Sequence, residues 1–378
     1  MTHYNPLIFG MIPPSVTIVT SCFNLTRFNG GSRSLLDNIE SFDILLSLPC
    51  YLVIYGDSTT IPILKERRIK FNLGEMTVFI QKEYEELEVA VYTTKVRANR
   101  EAYWPTRDSR TCTESHLICC AKFYFLQEVM ALNPFGHERF GWIDGNLKMS
   151  NPANIKICED YSPHLLLGAI ENTPYNKFKL QVINVLDKKF KDPSKKREMY
   201  EQYRWVMAGC FFTFGKTVGQ KVLARLQEIF EETTMAGYGH AEEMFFLEVL
   251  DEFAQEIERT YGDYGQIVNN WIKPMRNLHY IYELILKKYY TMGYYRESDQ
   301  CARALIQSFQ NFHVDIDYGT YMNILEILYL TNVECDNIAP QIAATIVGWC
   351  ETNPLLKAEY MKKGEYYDSV FGITSHFT

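Results

Sequence analysis

Near the start of the chain, three short apolar runs alternate with helix-forming stretches: "SVTIVTSCF" (15–23), "CYLVIYGD" (50–57) and "MTVFIQKE" (76–83). Their β-branched and aromatic residues favour extended backbone, and each is bounded by turn-forming residues. Between the first two lies "SLLDNIESFDILLSL" (34–48), with apolar residues at helical spacing and a stop at Pro49. A second helical stretch, about 61–68, precedes the third run. Parallel strands need long crossovers, usually helical, so this alternation predicts a mostly parallel, doubly wound sheet with helices on its faces. Such a sheet also fixes where chemistry sits, in the crevice outside the carboxyl ends of its strands.

The pattern continues less regularly. Residues 97–114 are polar and turn-rich, and "SHLICCAKFYFLQEVMALNPF" (115–135) reads as a helix terminated by Pro134. "FGWIDGN" (140–146) is a short aromatic strand breaking at Asp144-Gly145-Asn146, and "HLLLGAIE" (164–171) reads as a further strand. The Lys-rich stretch 186–203 fits a solvated helix and loop. Beyond residue 270 the signals are helical only. Residues 279–309 resemble an antiparallel helix pair joined near Gly293, and "GTYMNILEILYL" and "APQIAATIVGWCE" continue in that style. The expected division is an α/β domain over 1–270 and an all-α region over 271–378, the latter able to bind a protein partner.

Bulk properties exclude several classes. A net charge of -8 argues against nucleic-acid binding, which needs a basic surface. No run of 18 apolar residues predicts a membrane span, and the first residues lack a basic leader. Ten cysteines without a CxxC pattern fit free thiols in a reducing cytoplasm. Neither a GxSxG elbow nor a GxGxxG follows the strands, which disfavours a serine hydrolase and a dinucleotide enzyme.

Three strand ends carry candidate ligands: Thr20 leading to Arg27, Asp57, and Asp144 with Asn146. Asp57 serves equally as a turn cap. An acid and a carboxamide at i and i+2 can both reach a hard divalent cation carrying a diphosphate. That spacing is the one found in the DxD element of metal-dependent glycosyltransferases, with Asn in the second place.

Taken together, "TIVTSCFNLTR", "YLVIYGD", "CAKFYFLQEV…FGWIDGN", "RWVMAGCFFTFGK", "GYGHAEEMFF" and "YGDYGQIVNNW" resemble the HtrL/YibB-like family of bacteria and large DNA viruses. The resemblance spans roughly residues 15–285. It implies a GT-A fold and a glycosyltransferase that takes a UDP-, GDP- or TDP-linked sugar and delivers it to a glycan or protein hydroxyl. The host compartment would be the cytoplasm of a bacterium or an infected cell. Thr20 and Arg27 would lie near the nucleotide, Asp57 near the base or ribose, and Lys122 against the diphosphate. Arg97, with Arg100, is a further phosphate candidate, and His240 could meet diphosphate or metal. Asp144 and Asn146 would face Mn2+ or Mg2+; Asn146 leaves one formal charge fewer on the ion than a full DxD. Glu242 or Glu243 would act as general base in an inverting reaction or position the acceptor in a retaining one. Acids at that place also favour a helix N-terminus electrostatically. Asp263 is a weaker acidic candidate that also suits a surface turn.

One segment invites a different reading. "AGCFFTFGKT" (208–217) approaches a P-loop, but that loop needs a glycine at 210, where Cys210 stands. The bulky Cys-Phe-Phe-Thr-Phe run is also unsuited to wrapping phosphates in backbone amides. By resemblance, Gly209 instead lets a sugar approach the backbone, with Phe211 or Phe212 walling the pocket. A scaffold role, with a degenerate α/β domain and a partner-binding helical tail, is the alternative from a different class.

Overall fold

The computed structural model describes residues 12–28, 34–102, 112–145, 163–202, 204–238, 242–272, 275, 277–312, 316–335 and 338–372. Seven strands build one sheet: β1 Thr17–Cys22, β2 Tyr51–Gly56, β3 Thr77–Gln81, β4 Arg139–Ile143, β5 Phe178–Val182, β6 Phe211–Gly215 and β7 Ile257–Tyr261. Their order is β3-β2-β1-β4-β6-β5-β7. β3, β2, β1 and β4 run parallel, β6 runs antiparallel to β4, and β5 antiparallel to β6. The expected mostly parallel α/β sheet is therefore present, with one reversed strand inside it.

Among the described residues of this part, the helices follow in chain order: α1 Leu35–Ser41, α2 Asp43–Leu46, α3 Thr60–Lys70, α4 Thr93–Ala102, α5 Thr113–Leu132, α6 Pro163–Glu171, α7 Lys196–Tyr200, α8 Lys216–Met235, α9 Phe246–Glu252 and α10 Asn269–Ile272. Local chemistry sets several boundaries. Ser34 and Asp37 form a capping box at the start of α1, an arrangement that satisfies two otherwise orphaned N–H groups. α5 stops where Asn133 takes a left-handed conformation just before Pro134.

The run 164–171 corrects the sequence reading, because it is helix α6 and not a strand. A short apolar run has no decisive period, and its Leu and Ala content suits a helix. Its Gly168 meets α10 closely; an added Cβ would lie 2.9 Å from Ile272 Cδ1.

The core of the sheet is aromatic. Phe178 stacks on Phe214 with ring centroids 5.0 Å apart, and Phe212 meets Phe246 of α9 edge-on at 5.3 Å. Such pairs add about 0.5–1.5 kcal/mol each beyond area burial. At the other side of the sheet Arg68 of α3 is fully buried. Its guanidinium donates to the carbonyls of Leu46, Leu48 and Cys50 and to Thr77 Oγ1, all at 2.7 Å. It thereby ties the α2–β2 connection to β3. Burial lowers its pKa, and only the nearby Cys50 thiol opposes that shift.

Backbone contacts divide the chain into two compact units, residues 1–182, 190–260 and 267–272 in one, and 183–189, 261–266 and 273–378 in the other. The second unit is helical over its main span. Leu278–Ile281, the π-helical turn Tyr282–Leu286 and Lys287–Thr291 run on from one another, and Gly293 then turns the chain at φ +71° into Tyr295–Phe312. Tyr318–Glu334, Ala339–Thr352, Pro354–Met361 and Gly364–Phe371 follow. Asp263 caps a turn here by accepting from the Gly265 N–H. Among the described residues no helix is long and apolar enough to cross a membrane.

Candidate functional site

The sheet order reverses at β1, whose neighbours are β2 and β4. The carboxyl ends of β1 and β4 therefore flank a topological switch point, where open α/β sheets bind ligands. Asp144 follows β4 directly at that edge. The reversed β6 begins at the same edge, because Phe211 pairs with Ile143. Its approach, Gly209-Cys210, is locked there by the Asp144 N–H bond to the Cys210 carbonyl, 2.8 Å. The opposite end of β6 carries Gly215-Lys216 and pairs with Arg139, at the amino end of β4. The near-P-loop thus lies across the sheet from this edge. Its Gly215 answers a packing need, since an added Cβ would sit 1.6 Å from the Tyr175 carbonyl oxygen.

At the switch point four residues distant in sequence converge. Lys122, buried in the middle of α5 and 1% exposed, donates to Glu242 Oε1 at 2.7 Å and to the Gly209 carbonyl at 3.0 Å. Its ammonium lies 3.6 Å from Asp144 Oδ1 and 5.2 Å from the centre of the Trp142 ring. Burial alone would pull the ammonium pKa down, but Asp144 and Glu242 reverse this and hold it above the ordinary lysine value. The side chain therefore stays charged instead of snorkelling to water. Trp142 also donates its indole N–H to Asp144 Oδ1 at 2.5 Å. The Asp144 side chain is one-third exposed.

Glu243 is held separately. Its Oε1 accepts the Gly209 N–H at 3.0 Å and its Oε2 accepts the Trp205 indole N–H at 2.9 Å. Both acids sit in the 3-10 turn Glu242–Met244 and are buried. They press on Gly209, where an added Cβ would meet Glu243 Cγ at 2.8 Å and Glu242 Oε1 at 2.9 Å. Gly209 is a glycine because carboxylates occupy the space above it. Two carboxylates, Asp144 and Glu242, thus flank one ammonium, and Glu243 stands beside them on Gly209.

The other expected ligands are placed elsewhere or otherwise engaged. Asp57, directly after β2, accepts the N–H groups of Thr59 and Thr60 on Oδ1 and that of Asn24 on Oδ2. It ties the turn after β1 to the start of α3. Thr20 pairs with Ile54 inside the sheet, and its Oγ1 is buried without a hydrogen-bond partner. Arg27 pairs with Glu85 on the surface, and Arg97 with the buried Glu114. Phe211 has no exposed surface and packs against Trp271 at 4.6 Å, and Phe212 is equally buried. Asn146 and His240 lie outside the described residues.

Three features of the site were missed from the sequence, the first two being the indoles of Trp142 and Trp205 that orient the acids. A tryptophan two residues before Asp144 on the same strand shares its face, which is the signal that could have revealed the first. A third is Cys119, one helical turn before Lys122. Its side chain reaches solvent, yet it lies deep enough that burial and the Glu242 charge push its thiol pKa well up.

Among the described residues no three His, Cys, Asp or Glu side chains gather as a ready metal cage. Asp144 Oδ2 has no hydrogen bond or ion pair within the described residues, while Oδ1 is fixed by Trp142. That Oδ2 oxygen could serve as one ligand of Mg2+ or Mn2+, since Mg2+ is usually bound through one or two carboxylates plus phosphate oxygens.

No curated protein sequence matches the chain. Among solved structures, the apo crystal structure of mouse xyloside xylosyltransferase 1 shows a likeness at a TM-score of 0.33 and 12% sequence identity, covering 65% of this chain and 84% of that one. The family model described as "Bacterial protein of unknown function (HtrL_YibB)" matches residues 14–204, just over half of the chain, a span that includes Lys122 and Asp144. The chain belongs to the HtrL_YibB family.

Proposed function

We propose that the protein is a glycosyltransferase of GT-A type that moves a sugar from a nucleoside diphosphate to a hydroxyl acceptor. The observation that carries this reading is the Lys122 ammonium buried between Asp144 and Glu242 at the sheet's switch point. A structural lysine has no need of that edge, whereas a transferase must balance charge there as a diphosphate departs.

The diphosphate lies on the Asp144 side. Because the Asp144 and Glu242 carboxylates outnumber the one ammonium between them, a second cation is needed for a diphosphate to settle there. Asp144, with Asn146 as the second candidate, would hold Mn2+ or Mg2+, and the ion would neutralise charge on the leaving phosphates. Lys122 holds Asp144 and Glu242 apart and supplies fixed positive charge in a dry setting, where it acts more strongly than in water. Glu242 faces the acceptor. The acceptor oxygen bonds to the anomeric carbon, the bond from that carbon to the diphosphate oxygen breaks with its electron pair leaving on phosphate, and the hydroxyl proton passes to Glu242. Glu243, pinned by Gly209 and Trp205, keeps the turn carrying Glu242 in register.

Incubating the full chain with UDP-, GDP- and TDP-sugars, with and without Mn2+, and measuring nucleoside diphosphate release tests the proposal. At least one donor is expected to be turned over, with Asp144→Ala inactive but folded. Absence of donor binding and turnover across the panel would overturn it and favour a scaffold.

A further inference from the structure

The segment just before the acid-bearing edge carries an exposed aromatic whose edge pins Glu243 and whose ring face the transfer step does not use. Trp205 is 55% exposed, whereas Trp142 and Trp271 are each 3% exposed. An indole left in water beside buried carboxylates loses the burial energy that its size would otherwise contribute.

Its position is rigidly set. The indole N–H is bonded to Glu243 Oε2. The preceding Arg204 N–H contacts Met244 Sδ at 3.2 Å, its guanidinium lies 4.0 Å over the Phe190 ring, and its Nε donates to the Met199 carbonyl. On the other side Met207 bridges to Val182, and the Ala208 N–H bonds the Gln181 carbonyl at 3.0 Å. A flat ring is thus fixed against the acid pair, with its edge tied to one acid and much of its surface in water.

We infer that Trp205 is a stacking platform for a neutral sugar ring at the acceptor side of the site. An aromatic ring gives large rigid contact area to the apolar C–H face of a pyranose, while adjacent carboxylates accept its hydroxyl protons. The Glu243 carboxylate, which holds the edge of the indole, disfavours an acidic sugar at the same place, so the platform selects uncharged rings. The acceptor role rests on the transferase reading; the sugar-binding role does not.

Saturation-transfer NMR of the full chain with methyl glucoside, methyl galactoside and the anionic methyl glucuronide tests the inference, with donor binding measured in parallel. Wild type is expected to bind the neutral glycosides and to bind the glucuronide more weakly. Trp205→Ala should weaken neutral glycosides about tenfold, and Trp205→Phe, which keeps a ring, less than about threefold. Circular dichroism should confirm that both variants fold. Wild-type affinity in Trp205→Ala, a preference for the glucuronide, or no glycoside binding by wild type would each overturn the inference. Glycoside binding lost in Trp205→Ala, from a chain that binds no nucleotide sugar, would uphold the sugar platform and sink the transferase reading alone.

Discussion

Arg68 and Lys122 are both buried cations on helices beside the same sheet, and they are answered in opposite ways. Arg68 meets only neutral oxygens, three carbonyls and a hydroxyl, and burial lowers its pKa. Lys122 meets two carboxylates, which raise its pKa against the pull of burial. Neutral partners satisfy the guanidinium's forked donors and fasten loops, which is structural work. Charged partners create a cluster whose members can exchange one partner for a ligand. The difference separates a clamp from a site among residues that look alike in sequence, each a lone cation in a helix.

Substitutions can break this contrast. The largest effect is expected at Arg68: Arg68→Met orphans three buried carbonyls and should cost on the order of 5 kcal/mol, read by denaturant unfolding. Any molecules still folded should keep full donor turnover. Lys122→Met should cost about 4 kcal/mol, because Glu242 is left buried and uncompensated. Lys122→Met/Glu242→Gln should regain most of that stability without regaining turnover. Full activity in the double variant would make Lys122 a clamp like Arg68.

Asp144→Ala should lower donor turnover by about 100- to 1000-fold while shifting the unfolding midpoint little, since its side chain is one-third exposed. Gly209→Ala drives a methyl into Glu242 and Glu243 and should cost roughly 1–3 kcal/mol with reduced turnover. Gly168→Ala, which meets only the tip of Ile272, should lose stability alone.

The smallest effect concerns pH. A lysine whose folded pKa is raised contributes stability that is fully present below its unfolded value of about 10.4 and is lost only as pH rises through the higher folded value. The stability gap between wild type and Lys122→Met attributable to this ammonium should therefore stay flat from pH 6 to 9. A gap closing by pH 8, measured by urea unfolding, would mean that the carboxylates do not hold the proton on Lys122.

Much of the architecture was legible in the sequence because it rests on local period. β-branched runs and helical spacing specify β1, β2, β3 and α5, and Gly293 marks the turn of the helix pair. Residues 164–171 misled because a short run of leucines fits either period and only packing against α10 decides. Lys122, Asp144, Gly209, Glu242 and Glu243 were each legible as candidates. Their convergence was not, since it depends on the reversal of β6, which no local pattern encodes.

The sequence by itself determined β1, β2, β3, β4 and α5, and which polar residues stand at those strand ends, because backbone preference and solvent exposure act over a few residues. Only the tertiary structure decided what those residues do. It turned Asp57 into a loop fastener, buried Phe211, carried Gly215-Lys216 to the far edge of the sheet, and set Lys122 between two acids. The reason is physical: the energy of a charge depends on what surrounds it in space, and those neighbours lie up to 120 residues away along the chain.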